Sequence, residues 1–595
     1  MKSLLFFIIS IVIIAAFAGC KLSSENQYHT ANTELAALFD KYYEERLQLF
    51  PLEATSVGDD RYNDKLYADF TDSYRKKLKD FYSRYLIYAE KFSNKTLNEN
   101  DKLNHEIFTH ELDMYVEGLA LKDNYMPANQ FYGLPITMGQ LGSGEGNQPF
   151  KTVKDYNNWL LRMKAYTVWT DSAIAYFKKG LDNNIVLPKS LVVKMLPQLQ
   201  DMVTTDVTKH LFYGPINKLP SSFSVVDKQT IIANYTAAIK QDIMPAYQKL
   251  HDFLEHDYLP KSRTTTGINA LAGGDEMYDY LVRLNTSTNK QPQDIYNLGL
   301  SEVKRIKTEM EKVKSQVNFK GDMAAFFEYM KTDKQFTPYK TPQEVLSAFE
   351  TIHKTMEPNL KTMFNYVPKT RFEIRQTEAF RAASASAEYN QGSADGSRPG
   401  IFYVPIIDAT TFNTTSGMES LFLHEAIPGH HYQISLQQED TLLPKFRRFS
   451  VGNNAYVEGW ALYCESLGKE LGLYTDPYQY MGALGDEMHR AIRLVVDVAL
   501  HTKGMTREEA IAYMTTNEPI SEAGATAEIE RYMAIPGQAL GYKIGALKIR
   551  ELRTKYTQQL GSKFNLAKFH HAILKDGSMP LNILETKMEE WAKIQ

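Results

Sequence analysis

Residues 424–431 read His-Glu-Ala-Ile-Pro-Gly-His-His, with the apolar run Leu421-Phe422-Leu423 ahead of them. A histidine followed by a glutamate on a buried helix is half of a zinc site. In H-E-x-x-H, two imidazoles one turn apart hold the metal and the glutamate activates water. Here Pro428 stands one turn on, and the next histidines are His430 and His431. At about 100° per residue, His424 and His430 would point roughly 120° apart on a straight helix. His424 and His431 would share a face, but about 10 Å apart along the axis. Pro428-Gly429 excludes a straight helix, since proline deletes a backbone hydrogen bond and clashes with the preceding turn. A kink, or an early helix end, is expected to return a second histidine to the metal. The bland alternative is a buried helix end with polar histidines beside a kink.

A catalytic zinc takes three protein ligands and leaves one position open. His424 and His430 supply two, with His431 able to replace His430. The third is expected from Glu458, in the segment Asn454–Glu465, which reads as a helix despite Gly459. Glu458 and Glu465 are seven apart and share one face of it. Two acids on an otherwise apolar, aromatic helix are costly to bury unless they meet a cation. Glu425 is the expected general base, taking a proton from water at the metal and passing it to the leaving amine. His501, Tyr532 or Arg531 would donate to the charged tetrahedral state. Glu465, Asp497 or Glu419 would orient the histidines from behind.

These residues need elements to hold them. Ser416-Gly417-Met418-Glu419 is a capping box that would start the helix of His424. Gly400–Pro405 follows the turn-rich stretch Asn390–Pro399 and reads as a strand, either an edge on which a peptide pairs or a short structural ribbon. Asp486–Gly504 places His489, Arg490, Arg493, Asp497 and His501 on a helix, with arginines among apolar residues as in a partly buried polar network. Glu528–Gly545 is a helix bent at Pro536-Gly537, carrying Arg531, Tyr532, Gln538 and Tyr542.

Upstream, the pattern is helical from Thr30 to about Phe108, interrupted by a loop over 51–62, and helical again over 100–122. Asn124–Phe150 is rich in Gly, Pro and Asn and reads as a surface loop rather than a cleft lining. Helical windows broken by prolines fill 151–260, Lys261–Asp275 is a loop, and Gln291–Val317 is a charged amphipathic helix. Half of the fourteen histidines lie at or after His424, so polar function concentrates in the C-terminal third. The fold class expected from these signals is mainly α.

With 595 residues, 43% of them hydrophobic, the chain can bury a large core. Residues 1–19 read as a leader: Lys2, the apolar run Leu4–Phe17, then small residues. It ends Phe17-Ala18-Gly19-Cys20, similar to a bacterial lipobox with Phe17 in place of the more usual Leu. Cys20 would carry lipid, residues 20–30 would form a tether, and 31–595 a single domain with lobes at 31–290 and 291–595. The membrane is then met through the N-terminal lipid alone. The other cysteine is Cys464, which excludes an intramolecular disulfide after lipidation and leaves no cysteine-based zinc site. The net charge is −4, with 66 basic and 71 acidic side chains once Lys2 is removed, and gives no sign of nucleic-acid binding.

HEAIPGHHYQ, EGWALYCE and RYMAIPGQALGYKIG, together with PLEATSVGDDRYND, LVRLNTSTNKQPQDIYNLGLSEVKRI and DGSMPLNILE, resemble the bacterial domain-of-unknown-function 885 family over most of the mature chain. The resemblance implies a large helical fold like that of zinc peptidases of the angiotensin-converting-enzyme and oligopeptidase type, two-lobed around a deep cleft. It implies one zinc ion with His424, His430 and Glu458 as ligands and Glu425 as base. The expected activity is zinc-dependent hydrolysis of short peptides. The alternatives are a metallo-amidase acting on a small non-peptide amide and a non-catalytic helical lipoprotein that binds a ligand.

Overall fold

A computed structural model describes residues 32–377, 386–393, 396, 398–415, 417–450 and 452–595. The leader, the tether with Cys20 and the capping Ser416 lie outside the described residues. Helices dominate, accompanied by one three-stranded sheet. Its strands are β1 (Phe372–Gln376), β2 (Glu388–Asn390) and β3 (Gly400–Val404), in the order β1-β3-β2. β1 runs parallel to β3 with Phe372 opposite Gly400, while β2 runs antiparallel with Tyr389 opposite Phe402. The strand expected at 400–405 is thus β3, ending just before Pro405, and β2 is an edge.

Seven helices position the site: α1 (Pro292–Gln316), α2 (Met418–Glu425), α3 (His430–Glu439), α4 (Asn454–Glu465), α5 (Pro477–Thr502), α6 (Glu522–Ala534) and α7 (Leu540–Leu560). Their ends follow local chemistry. Asn453 caps α4 by accepting from the Tyr456 N–H, Asp476 caps α5 with Pro477 at its first position, and Ser521 caps α6. The bend between α6 and α7 falls at Pro536-Gly537, as the sequence predicts.

The packing of α4 on α7 explains Gly459 in mid-helix. A Cβ on Gly459 would stand 2.4 Å from the Cα of Gly545, and one on Gly545 would stand 1.8 Å from the Ala455 carbonyl oxygen. Only two glycines let these backbones cross so closely. α7 is locked to α1 and α5 in turn by Lys543, 1% exposed, whose ammonium lies 2.8 Å from both Glu302 and Glu487.

Among the described residues three hydrophobic cores result. The largest joins Leu35–Leu112 to residues of the C-terminal half as far as Ala592, the second gathers residues 128–258 around Trp159 and Tyr166, and the third packs α1 against α5 and α6. The cores do not divide at residue 290. Fully buried Arg447 shows why: it donates to Asn104 Oδ1 at 2.8 Å and to the carbonyls of Asp576 and Ser578, tying N-terminal helix to C-terminal turn.

Two loops expected upstream are partly helical. Pro51–Ser56 is a short helix, started by a proline whose missing N–H costs nothing there. Within Asn124–Phe150, Leu134–Gly142 is also a helix, and Asn124–Leu134 lines a cavity of about 1030 Å3 rather than merely covering the surface.

Candidate metal centre

α2 stops at Glu425, and the chain turns through Ala426–Gly429, with a cis Ile427–Pro428 peptide, into α3. Gly429 is required by proximity: a Cβ would lie 1.9 Å from the His424 carbonyl oxygen and 2.3 Å from that of Leu423. The break therefore acts as an early helix end rather than a kink, and it carries His430 back beside His424, ring centroids 4.9 Å apart. The Glu419 carboxylate accepts from the Tyr474 N–H. That bond removes Glu419 from the histidines.

Glu458 arrives from α4. Its Oε2 is 3.5 Å from His424 Nε2 and 3.6 Å from His430 Nε2, and the three donor atoms lie within 4.8 Å of one another. These separations are too long for strong hydrogen bonds. The 3.5 and 3.6 Å separations match a tetrahedral ion, around which donors held at about 2.1 Å stand roughly 3.4 Å apart. Glu458 Oε2 is buried with no hydrogen-bond partner, which is the state expected of an oxygen reserved for a cation. The residues present fit zinc.

Behind His424, Glu465 Oε1 sits 2.7 Å from Nδ1. A carboxylate only accepts, so Nδ1 carries the proton and the Nε2 lone pair faces Glu458. Burial would lower the pKa of His424, but Glu458 and Glu465 outweigh it and hold the imidazole well above its ordinary range. The converse holds for Glu458, which burial would raise and the two imidazoles hold well below the carboxylate range. The attraction that would seat a cation here thus binds a proton when no metal competes.

Glu425 accepts a 2.9 Å hydrogen bond at Oε2 from the Tyr389 N–H of β2. Burial raises its pKa, partly offset by His424 and His430. The edge strand therefore orients the candidate base. His431 is carried away from the ligands: its Nδ1 lies 3.0 Å from the Tyr389 hydroxyl and its ring packs on Phe372. Burial depresses its pKa to about 4.

A cavity of about 1000 Å3 opens over these groups. His424, Glu425, His430 and Glu458 lie on it together with Tyr542, His489 and the arginines Arg490, Arg493 and Arg531. Of the three expected oxyanion donors, Arg531 is placed on the cavity. Tyr532 is 1% exposed, donates its hydroxyl to Glu528 and accepts from Arg493. His501 is fully buried between the Ile268 N–H and the Tyr532 carbonyl, with its pKa lowered to about 3 by burial. Asp497, pushed up to about 7 by burial, accepts from the Tyr278 hydroxyl and the Gly537 N–H and reaches no histidine of the site. These three sit on the inward side of α5 and α6, where they hold the bend before α7.

Sequence reasoning passed over Tyr389, His489, Arg490 and Tyr542 as site residues. Tyr542 is the clearest signal in hindsight, an aromatic one turn into the helix after a Pro-Gly bend. Its ring lies nearly parallel to His424 at 6.4 Å. Tyr389 had none, because its contact with Glu425 exists only once the sheet forms.

No curated protein matches the chain. Among solved structures, "the putative lipoprotein from Colwellia psychrerythraea" aligns with a TM-score of 0.88 at 28% identity, over 95% of this chain and 99% of that one. "A putative lipoprotein of unknown function from Shewanella oneidensis" aligns with a TM-score of 0.71 at 20% identity, over 93% and 99%, and shows the same fold. The family model for bacterial proteins of unknown function, DUF885, matches residues 51–588, and the chain belongs to that family.

Proposed function

We propose that this chain is a zinc-dependent peptidase acting on short peptides, anchored to the bacterial cell envelope through lipid on Cys20. The observation that carries the reading is the convergence of His424 Nε2 and His430 Nε2 on Glu458 Oε2, at 3.5 and 3.6 Å, with Glu425 beside them on the same cavity. A likeness in mechanism to helical zinc peptidases of the angiotensin-converting-enzyme and oligopeptidase type belongs to this proposal, with the cavity as the cleft. Zinc, when bound, supplies Lewis acidity toward a carbonyl oxygen and makes water acidic enough to attack at neutral pH.

The protein's own groups do the rest. Glu425, its Oε2 fixed by Tyr389, keeps Oε1 to receive the proton of the attacking water and deliver it to the leaving nitrogen. Glu465 keeps His424 in the tautomer that presents Nε2. Tyr542, on the cavity beside His424, replaces Tyr532 as the phenol able to donate to the developing oxyanion. The envelope assignment rests on the lipobox-like Phe17–Cys20 and on the names borne by the similar structures.

Elemental analysis tests the metal: one zinc per chain in the parent, lost in both His424→Ala and Glu458→Ala. Glu425→Gln is expected to keep its zinc and lose roughly 10²- to 10⁴-fold in turnover of short peptides. A parent free of metal after zinc supplementation overturns the reading. Replacing Cys20 by Ser should abolish labelling by a lipid precursor in cells, and unchanged labelling removes the anchor.

A further inference from the structure

Arg490, Arg493 and Arg531 line the same cavity as the histidines. Two of these have internal partners. Arg493, 2% exposed, gives Nε to the Tyr532 hydroxyl at 3.0 Å and Nη2 to Glu528 at 2.9 Å. Arg531 gives Nη2 to Gln538 at 2.9 Å and meets Glu528 at 3.5 Å. Arg490 is different. Among the described residues it has no hydrogen bond or ion pair, its Nε is buried without a partner, its guanidinium lies 4.9 Å from the centroid of the Tyr542 ring, and Asp486 attracts it without a direct contact.

The neighbouring acids are engaged elsewhere. Glu528 is shared by Arg493, Arg531, His489 and the Tyr532 hydroxyl, and Glu518 is held by His489 at 3.0 Å. Asp486, one turn before Arg490, accepts from Ser420, and burial pushes its pKa up to about 7. A half-buried guanidinium that no carboxylate among the described residues contacts directly is costly, and its planar fork is shaped for a carboxylate. Its position is also fixed. Tyr542 neighbours both His424 and Arg490, 6.4 Å from the imidazole ring and 4.9 Å from the guanidinium. The imidazole and the guanidinium are therefore at most about 11 Å apart, within the reach of roughly three extended residues at ~3.5 Å each.

We infer that Arg490 receives the C-terminal carboxylate of the substrate, so that the protein releases fragments of one to three residues from the C-terminal end of peptides. The inference rests on the zinc-peptidase reading of the same cavity. A chain terminus suits a fixed guanidinium because its distance from the cleaved bond does not depend on side-chain identity. Arg493, with Nη1 buried and unpartnered, stands one turn along to share the charge.

The test separates recognition from chemistry. Zinc-loaded Glu425→Gln protein is titrated calorimetrically with N-acetyl-tetra-alanine as the free acid, with its C-terminal amide, and with the amide of N-acetyl-Ala-Ala-Glu-Ala. The free acid should bind roughly 10- to 100-fold more tightly than the plain amide, the range of a charge-assisted bidentate pair. Adding Arg490→Gln should erase that preference at unchanged zinc content, and Arg490→Lys should restore part of it. In protein with native Glu425, the same preference should appear in kcat/KM for cleavage.

Equal binding of acid and amide, no binding of the acid, or a preference that survives Arg490→Gln overturns the inference. A glutamate amide that binds as tightly as the free acid overturns it in favour of an acidic side-chain subsite. Absence of zinc from the parent fails the peptidase reading instead, and is scored by metal analysis before any peptide is added.

Discussion

The indole N–H of Trp460 donates to the carbonyl oxygen of Pro428 at 2.9 Å. The two residues belong to different segments of the candidate metal centre. Trp460 stands two positions after Glu458 on α4, and Pro428 lies in the turn that separates His424 from His430. One hydrogen bond thus sets the angle at which the second histidine returns toward the carboxylate. Trp460 is fully buried, so its loss leaves a carbonyl without a donor.

Trp460→Phe should therefore cost about 1–3 kcal/mol of stability, from the lost hydrogen bond and a small cavity. Zinc affinity should fall as well, by about tenfold, measured by competition with a chromophoric chelator. Trp591→Phe is the control, since Trp591 packs on Tyr556 and Phe569 away from the cavity. It should destabilise without weakening zinc. Unchanged zinc affinity in Trp460→Phe would show that the turn holds itself.

Glu465→Gln addresses the tautomer of His424. The amide oxygen can still accept from Nδ1, but the negative charge that makes Nε2 a stronger ligand is gone. Loss of such an orienting carboxylate typically lowers metal affinity 10- to 100-fold. The variant should melt near the parent when zinc is saturating and well below it at limiting zinc, because bound metal stabilises by mass action. Identical melting at both concentrations would mean that Glu465 is structural only.

How far these relationships were legible in the sequence depends on their range. The clustering of His424, His430 and Glu458 was, because His-Glu before Pro-Gly-His and two acids seven apart on an apolar helix point to a shared charge. The bounds of α4 and the bend before α7 were legible too, from local capping and Pro-Gly chemistry. What failed was direction. Asp497 and His501 share α5 with Arg490 and Arg493, yet face Tyr278 and Ile268 while the arginines face the cavity. On a helix apolar for most of its circumference, nothing local says which polar residue looks toward the site. Tyr532 and Tyr542 were exchanged for the same reason, since the Pro-Gly bend turns one inward and presents the other to the cavity. The joining of N-terminal helices to the C-terminal core through Arg447 was equally invisible, as it spans more than three hundred residues.

His570 gives the protein a built-in acid limb. The imidazole is fully buried, stacked 4.6 Å from Phe364, with Nδ1 donating to the Met363 carbonyl at 3.0 Å and Nε2 accepting from the Tyr463 hydroxyl at 2.8 Å. Burial lowers its pKa to about 3. The neutral form is favoured in the fold, so the unfolded chain binds the proton first. Stability from this group is complete above about pH 6.5 and is lost as pH falls toward 3, at about 1.4 kcal/mol per pH unit. His501 acts in the same direction. His570→Gln cannot take up that proton when it unfolds. It should be less stable than the parent at pH 7.5, with the gap narrowing by about 2 kcal/mol at pH 5. Denaturant melts of both proteins, each with excess chelator so that metal release does not enter, measure the difference. A gap that stays constant between those pH values would mean that His570 is protonated in the fold or reached by water.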